Sequence, residues 1–251
     1  MLTEQGIRRY IKSDIDIIFL EESPSTNLEA KKRAGTTREG AVIFARRQFS
    51  GRGRIGRSFE SPEGGIYMTM LVRPTDPVCL TMAAAVAVRR AMVDKLNLDP
   101  AIKWVNDIYS GGKKLCGILT ETKFDFEHDK LDYAVIGIGI NLIEPKGGFP
   151  AELESVATAV FSEYSEDTRT AVIQAVLGNL DKYLPQIADK RFLEEYRRRS
   201  VLIGRNVNVI KGEESYPAQV LEIDDNARLV VKTEDGVYTL DSGEVSIRLS
   251  E

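Results

Sequence analysis

Short apolar runs alternate with helical segments between residues 15 and 142. The runs are rich in β-branched and aromatic residues and are bounded by turn residues, which is typical of strands. The chief helical segment, 77–97, is rich in alanine and begins with proline, a residue favoured in the first turn of a helix. The pattern predicts an α+β fold in which a mixed β-sheet has helices packed on one face. The predicted strands are "IDIIFLE", "GAVIFAR", "GIYMTMLVR", "KLCGILTET" and "DYAVIGIGINL".

A second pattern begins near residue 168. Residues 168–199 have helical periodicity, and after about residue 202 the chain changes to short β-rich runs separated by turn residues. Short strands with regular turn signals predict a small β-barrel. We therefore divide the chain into a larger domain, residues 1–200, and a small barrel, residues 201–251.

Composition and charge exclude several classes of protein. At 251 residues, 43% hydrophobic and 29% charged, the chain can bury a substantial core. It shows no secretory or transit signal and no run near the roughly 18 apolar residues of a membrane span, so we expect a soluble, cytoplasmic protein. The two cysteines, Cys79 and Cys116, stand far apart with no second Cys or His nearby, which predicts two reduced core thiols. The single histidine, His128, lies among charged residues, which excludes His-based triads and His-rich metal sites.

One stretch, "RRQFSGRGRIGRSFESPEGG" (46–65), is strongly basic in a chain whose formal net charge is -4. Five arginines and three glycines precede its first acidic residue, Glu60. Glycines let the backbone wrap closely and present N–H donors, while arginines offer fork-shaped cationic donors that match carboxylate and phosphate oxygens. The stretch predicts a loop that holds an anion. A solvated basic loop and a nucleic-acid patch are the alternatives.

Three known phosphate-binding loops do not fit this stretch. "GRGRIG" has the spacing of a dinucleotide-binding loop, but the following "RSFESPEGG" contains one proline and two glycines and does not supply the helix that such a loop requires. A protein-kinase loop would be accompanied by H-R-D and D-F-G motifs, which the sequence lacks. A Walker A loop would end in Gly-Lys-Ser/Thr, which the sequence also lacks.

Further stretches contain candidate ligand-binding residues. "PSTN" (24–27) precedes a helical segment, so its polar residues are either ligand contacts or an N-cap. "KWVNDIY" (103–109) places a Lys-Trp pair at the end of a strand and an Asn-Asp pair in a turn. The predicted strands at 113–121 and 135–142 contain glycines at which a ligand could approach the backbone.

Taken together and in this order, these stretches resemble the biotin protein ligase family. The resemblance covers residues 16–142 and, more loosely, the C-terminal barrel through Glu244 and Arg248. This chain departs from the family pattern at Val105, where many members have proline, and at Phe59, where some have tryptophan. The matching positions are Ser25-Thr26-Asn27, Gln48, Gly51-Arg52-Gly53-Arg54, Lys103-Trp104, Asn106-Asp107, Lys114-Leu115, Gly117-Ile118-Leu119, Gly137 and Gly139-Ile140-Asn141.

The resemblance implies a fold and a reaction. The fold would be a catalytic domain like those of class II aminoacyl-tRNA synthetases and biotin–lipoate ligases, followed by an SH3-like barrel. The carboxylate of biotin would attack the α-phosphate of MgATP to give biotinoyl-5′-AMP, and a lysine of a biotin carboxyl carrier domain would then attack this mixed anhydride. Bifunctional members carry an N-terminal winged helix-turn-helix; only 24 residues precede the first motif here, which predicts a ligase that does not bind DNA. The family often pairs subunits through the central sheet, which predicts a homodimer.

The resemblance also implies roles for individual residues. The cations would neutralise two anions and stabilise charge that grows in the transition states, while hydroxyl and amide groups suit the ureido ring of biotin. The sequence does not indicate which residues hold Mg²⁺. The implied catalytic residues are Lys103, Arg52 and Arg54. Biotin would contact Ser25, Thr26, Asn27, Gln48, Gly51, Arg52, Lys103 and Gly117. ATP or the adenylate would contact Arg54, Arg57, Phe59, Asn106, Asn141 and Arg248.

Two other functions stay open. A lipoate ligase shares the fold and the adenylation chemistry, but its apolar substrate gives less reason for the polar Ser-Thr-Asn and Gln set. A DNA-binding regulator is the second alternative, although the sequence contains no visible recognition helix.

Overall fold

The computed structural model describes residues 7, 15–73, 77–162, 166–241 and 246–249. For residues 77, 78 and 246–249 it describes the backbone alone. The chain forms two sheets within these residues, one of seven strands and one of five. Glu244, one of the C-terminal positions of the resemblance, lies outside the described residues.

A seven-stranded sheet forms the centre of the larger part of the molecule. Its strands are β1 (Ile17–Ser23), β2 (Val42–Gln48), β3 (Ile66–Val72), β4 (Ala101–Lys103), β5 (Asp107–Ser110), β6 (Lys113–Asp125) and β7 (Lys130–Ile140). Their order is β1-β2-β3-β7-β6-β5-β4. The first pair runs parallel and the other neighbours run antiparallel, so the sheet is mixed, as predicted.

The longer helices pack on one side of this sheet, as the sequence predicts. The described helices are α1 (Thr26–Arg33), α2 (Pro77–Leu96), α3 (Glu166–Tyr183) and α4 (Phe192–Arg198), with a 3₁₀ turn at Leu184–Gln186. α2 contacts the sheet, while α3 and α4 pack mainly against α2. This arrangement explains why the alanine-rich α2 is buried over most of its circumference.

The short helix α1 lies on the opposite face of the sheet. Ala30 of α1 and Ala34, which directly follows the helix, pack against Ile43, Leu71 and Val135. The sequence prediction placed helices on one face and did not include this smaller layer. Because α1 has only eight residues, it covers part of the face and leaves the rest for other groups.

A five-stranded antiparallel sheet follows the helices. It contains β8 (Asn206–Lys211), β9 (Glu214–Ile223), β10 (Leu229–Thr233), β11 (Gly236–Leu240) and β12 (Ser246–Leu249), in the order β11-β10-β9-β8-β12. Alternate residues such as Val207 and Val209 are fully buried, as a half-buried strand requires. This sheet confirms the small β-structure predicted after residue 202. The domain boundary between residues 200 and 201 stays a prediction.

The segment between α4 and the small sheet pairs with β4. Ile102 N–H donates to Arg199 O over 2.8 Å, and Val201 N–H donates to Ile102 O over 2.9 Å. The segment that leads into the small sheet is therefore hydrogen-bonded to the strand that ends at Lys103.

Two further expectations concern the core and the membrane. Cys79 and Cys116 are buried and form no disulfide, which agrees with the prediction of two core thiols. Among the helices of the described residues, none is long and apolar enough to cross a bilayer.

Candidate active site

Three glycines, Gly117 on β6 and Gly137 and Gly139 on β7, lie together on the α1 face of the sheet. They carry no side chains, and we call the surface they form the glycine floor. A Cβ atom on Gly139 would lie 2.5 Å from the Phe59 ring, and one on Gly137 would lie 2.1 Å from Asn27 Oδ1. Both distances are far below van der Waals contact, so only glycine allows these groups to lie so close. The sequence predicted close approach at these glycines; the approaching groups are side chains of the protein itself.

Neutral polar side chains converge at one end of this floor. Thr26 donates its backbone N–H to Gln48 Oε1 over 2.7 Å, and Thr26 Oγ1 lies 3.1 Å from the same oxygen. Thr69 Oγ1 lies 2.7 Å from both Thr26 Oγ1 and Asn27 Oδ1. Gln48 Nε2 donates to Ser61 Oγ over 2.8 Å. The structure thus brings the predicted polar residues together around Thr69.

Ser25 occupies the N-cap position of α1, but its side chain makes no capping hydrogen bond. It is buried on the cavity wall, at 3% exposure. Helix capping therefore does not explain the hydroxyl of Ser25, and contact with a ligand remains as the alternative.

The arginine-rich stretch folds back on itself as an irregular hairpin. Arg52 and Ser58 pair across it, and a Cβ atom on Gly51 would lie 2.2 Å from the carbonyl oxygen of Phe59. At the tip, Gly56 has a φ of 69°, a conformation that glycine adopts without strain. The glycines allow the hairpin to close, and its arginines line the same cavity as the glycine floor.

Charged side chains occupy the other end of the floor. Arg54 Nη1 donates to Asn106 Oδ1 over 3.2 Å, and Asn106 Nδ2 donates to Asp107 Oδ1 over 2.9 Å. Lys114 Nζ lies 2.8 Å from Asp107 Oδ1 and 5.6 Å from the centre of the Phe59 ring. Burial lowers the pKa of Arg54, and attraction to the Asp107 carboxylate opposes this shift. This end of the site is cationic and partly shielded from water, which suits an anion.

Lys103, the predicted catalytic lysine, lies at the end of β4 and outside the cavity wall. Its Nζ donates to Tyr109 Oη over 3.3 Å and lies 5.1 Å from the centre of that ring. Burial raises the pKa of Tyr109 to about 12, so its hydroxyl is neutral at ordinary pH. The structure places Lys114 against the cavity instead, and the catalytic role of Lys103 stays a prediction.

The two ends and the glycine floor enclose a cavity of about 110 Å³. Its neutral polar end lies at Gly137, where Asn27 packs, and its cationic end lies at Gly117, where Lys114 and the Phe59 ring pack. The predicted site residues on its wall are Ser25, Thr26, Asn27, Gln48, Arg52, Arg54, Arg57, Phe59, Asn106 and Gly117.

Two other predicted site residues, Gly51 and Asn141, lie away from the cavity wall, and the structure does not describe the side chain of a third, Arg248. Gly51 lies within the hairpin and shapes it without lining the cavity. Asn141 is 8% exposed and donates its Nδ2 to Thr158 O over 3.1 Å. Arg248 lies in β12 opposite Asn208, and the structure describes its backbone alone.

Sequence reasoning did not assign Thr69, Asp107 or Lys114 to the site. Thr69 stands in "IYMTMLV", a strand whose seven residues are all buried, and a hydroxyl in such a run is a signal that could have found it. Asp107 and Lys114 belong to stretches that carry the resemblance, but their ion pair depends on the pairing of β5 with β6.

Among the described residues, no group of three or more His, Cys, Asp or Glu side chains is arranged to hold a metal ion. Asp107 is the acidic residue on the cavity wall. Mg²⁺ often binds through one or two carboxylates together with substrate phosphates. The wall therefore fits a magnesium ion that is held mainly by phosphate oxygens, with Asp107 as the available carboxylate.

Two protein-family models match the chain. The model described as "Biotin/lipoate A/B protein ligase family" matches residues 17–141, which include every predicted residue on the cavity wall. The model described as "Biotin protein ligase C terminal domain" matches residues 202–248, which span most of the small sheet.

Individual relatives and solved structures are similar over most of the chain. The bifunctional ligase/repressor BirA of Bacillus subtilis is 32% identical over 262 residues, covering 98% of this chain and 79% of that protein. A biotin--[acetyl-CoA-carboxylase] ligase of Mycobacterium tuberculosis is 28% identical over 244 residues, covering 92% and 88%. The structure of biotin protein ligase from Aquifex aeolicus in complex with biotin and ATP aligns with a TM-score of 0.79 at 27% identity, covering 94% of this chain and 99% of that one.

Proposed function

Because this chain belongs to the biotin/lipoate A/B protein ligase family and is an ATP-dependent biotin ligase, we propose that it biotinylates a lysine of a biotin carboxyl carrier domain in two steps. First, a carboxylate oxygen of biotin attacks the α-phosphorus of ATP, and pyrophosphate leaves. Second, the lysine nitrogen attacks the acyl carbon of biotinoyl-5′-AMP and loses a proton, while AMP leaves with the electron pair of the broken C–O bond.

One observation carries the proposal: the cavity has a neutral polar end and a cationic end joined by a glycine floor. Biotin has the same division, with a neutral ureido ring at one end and a carboxylate at the other. Desolvated ureido N–H and C=O groups need directional hydrogen-bond partners, whereas carboxylate and phosphate need cationic donors. The cavity offers each kind of partner at the appropriate end.

At the neutral end, we assign the ureido ring to Ser25, Thr26, Asn27 and Gln48. The first three are at most 4% exposed, and the hydroxyl of Ser25 makes no capping hydrogen bond. A ligand without a matching polar group would leave that hydroxyl unpaired, at a cost of about 1–3 kcal/mol. This cost favours biotin over an apolar acid such as lipoate. Gly51, Arg52 and Gly117 complete the proposed biotin contacts.

At the cationic end, Arg52 and Arg54 would neutralise the repulsion between the carboxylate and the α-phosphate. We retain Lys103 as a proposed catalytic lysine and add Lys114, because its Nζ lies between Asp107 and the Phe59 ring. Preorganised cations at the place where negative charge develops stabilise the transition state.

The nucleotide would lie beside the same wall. Phe59 offers an aromatic face to adenine, and Asn106 and Asn141 offer amide groups to the nucleoside. Arg57 and Arg248 would contact phosphate oxygens. A magnesium ion carried by ATP would neutralise phosphate charge, with Asp107 as the protein carboxylate able to hold it.

The test is ATP–pyrophosphate exchange with biotin, with lipoate and with neither acid. We expect exchange that depends on biotin. Exchange with lipoate alone would favour the lipoate ligase instead. Transfer is then measured as a mass increase of an isolated carrier domain, with a carrier whose acceptor lysine is replaced by arginine as the control.

Three further predictions, about cellular location, oligomeric state and DNA binding, belong to this proposal. A cytoplasmic location is supported by two buried cysteines that form no disulfide. A homodimer is tested by sedimentation at several protein concentrations. The expected lack of DNA binding is tested by a gel shift over a range of salt concentrations.

A further inference from the structure

Glu121 holds the amide of Asn27 from outside the cavity wall. Its Oε2 atom accepts a hydrogen bond of 2.8 Å from Asn27 Nδ2, whose other hydrogen is directed to Leu119 O at 3.2 Å. Its Oε1 atom lies 2.5 Å from Lys31 Nζ. The carboxylate therefore joins an ion pair at the rim of the site to a side chain inside it.

We propose that Glu121 is a positioning residue for the ureido end of the substrate. It fixes the orientation of the Asn27 amide and, through it, the hydrogen bond between the buried Thr69 and Thr26, whose side chain lies on the cavity wall. The inference rests on the proposed function, since it concerns recognition of the ring of biotin.

The orientation of Asn27 follows from its partners. An amide side chain can be turned over with little change in shape, so its neighbours decide which end donates. The carboxylate of Glu121 and the carbonyl of Leu119 are both acceptors, so they select Nδ2. Oδ1 is therefore directed to Thr69 Oγ1, 2.7 Å away, and can only accept.

The orientation of the Asn27 amide determines the directions in which the hydroxyl hydrogens of Thr69 and Thr26 point. The single hydroxyl hydrogen of Thr69 is drawn to Asn27 Oδ1, which leaves the hydrogen of Thr26 Oγ1 to point to Gln48 Oε1 or Thr69 Oγ1. If the Asn27 amide turned over, Nδ2 would face Thr69, and the hydrogen of Thr69 would have to turn toward Thr26. The ligand would then meet a different pattern of donors and acceptors.

A carboxylate is required at this position because two donors need two acceptor oxygens. Glutamine has almost the same shape but one carbonyl oxygen, so its NH₂ group would face either Lys31 or Asn27. Asn27 is 4% exposed, and its Oδ1 lies against the backbone of Gly137, so it has little space to move away.

The test is Glu121→Gln in the full chain. Biotin affinity is measured by calorimetry, and exchange kinetics give kcat and the KM values for biotin and ATP. We expect biotin affinity to fall roughly tenfold, the size of one lost hydrogen bond to a charged group. At saturating biotin, kcat and the KM for ATP should stay within about twofold of the parent.

Asp132→Asn is the matched control. It makes the same carboxylate-to-amide change in an exposed ion pair, Lys123–Asp132 at 3.3 Å, on the neighbouring strand. It should leave biotin affinity unchanged. An Asn27→Ala background provides the second control, because Glu121→Gln should add no further loss once Asn27 is removed.

The outcomes separate the inference from the proposed function. Unchanged affinity in Glu121→Gln, a loss in kcat in place of affinity, or the full tenfold loss in the Asn27→Ala background overturns the positioning role. A parent that neither binds biotin nor exchanges pyrophosphate overturns the proposed function itself, and with it this inference.

Discussion

Trp104 Nε1 donates a hydrogen bond of 3.1 Å to the carbonyl oxygen of Ala227. The two residues belong to different parts of the chain: Trp104 directly follows β4, and Ala227 lies in the turn between β9 and β10. Both are buried, at 4% and 2% exposure. The small sheet therefore supports the turn that follows Lys103 and contains Asn106.

Replacing Trp104 by phenylalanine tests this support. The change keeps an aromatic ring but leaves the carbonyl of Ala227 buried without its donor, so we expect a loss of about 1–3 kcal/mol in the free energy of unfolding. Urea unfolding measures it. Tyr238→Phe, at an exposed tyrosine of β11, is the control and should change stability by at most about 0.5 kcal/mol. If Trp104→Phe had the same free energy of unfolding as the parent, the hydrogen bond to Ala227 would not contribute to stability.

A methyl group on Gly137 tests the floor of the cavity. In Gly137→Ala the new Cβ atom would lie 2.1 Å from Asn27 Oδ1, so Asn27 must be displaced. We expect the KM for biotin to rise at least roughly tenfold, because the polar end loses one of its partners. Exchange kinetics over a range of biotin concentrations measure this effect.

Gly178→Ala is the control for that substitution. Gly178 lies in α3, and a Cβ atom there would meet nothing within 4 Å. Alanine should therefore leave biotin kinetics unchanged and add about 0.5–1 kcal/mol of stability, since glycine is unfavourable inside a helix. A normal KM in Gly137→Ala would contradict the close packing of Asn27 on the sheet.

The two candidate lysines are distinguished by single-turnover adenylation. We expect Lys103→Ala and Lys114→Ala each to lower the rate roughly 10²–10³-fold, the effect of losing one preorganised donor. Lys113→Ala is the control, because that side chain donates to Glu154 O at the surface and should not affect the rate. Near-parent rates in Lys103→Ala together with a loss in Lys114→Ala would assign catalysis to Lys114 alone.

Strong local patterns explain why much of the fold could be predicted from the sequence. The helix predicted at 77–97 is found at Pro77–Leu96, because a long alanine-rich run has few competing structures. The strand predicted from "GIYMTMLVR" is found at Ile66–Val72, where every residue is buried. The position of α1 was not predictable in the same way, since the face it covers depends on contacts distant in sequence.

Many of the residues that form the site could be predicted, but their positions relative to one another could not. Ser25, Thr26 and Gln48 were named from the resemblance to the family, and the structure brings them to one end of the cavity. Lys114 meets Asp107 only because β5 pairs antiparallel with β6, with a register shift between Ile108 and Tyr109. Residue types and spacing carry no direct information about such a register, so Lys103 was favoured on its motif alone.

Arg54 links the arginine-rich hairpin to the turn after β4. Its Nη1 atom donates to Asn106 Oδ1 over 3.2 Å, and its side chain lies on the cavity wall. Biotinoyl-AMP is a mixed anhydride that reacts with any amine or with water, so the enzyme must retain it until the acceptor lysine arrives. A closed loop that excludes water is the physical means of retention.

Replacing Arg54 by glycine removes this link and loosens the backbone of the hairpin. We expect the rate of adenylate dissociation to rise by a larger factor than the rate of adenylate formation falls. The variant should then label bystander proteins at surface lysines, whereas the parent should label only its carrier. Adenylate dissociation and bystander labelling are measured on the same samples. Arg47→Ala is the control, because Arg47 is exposed and paired with Glu22 away from the cavity. An unchanged dissociation rate with no stray labelling would show that Arg54 does not retain the adenylate.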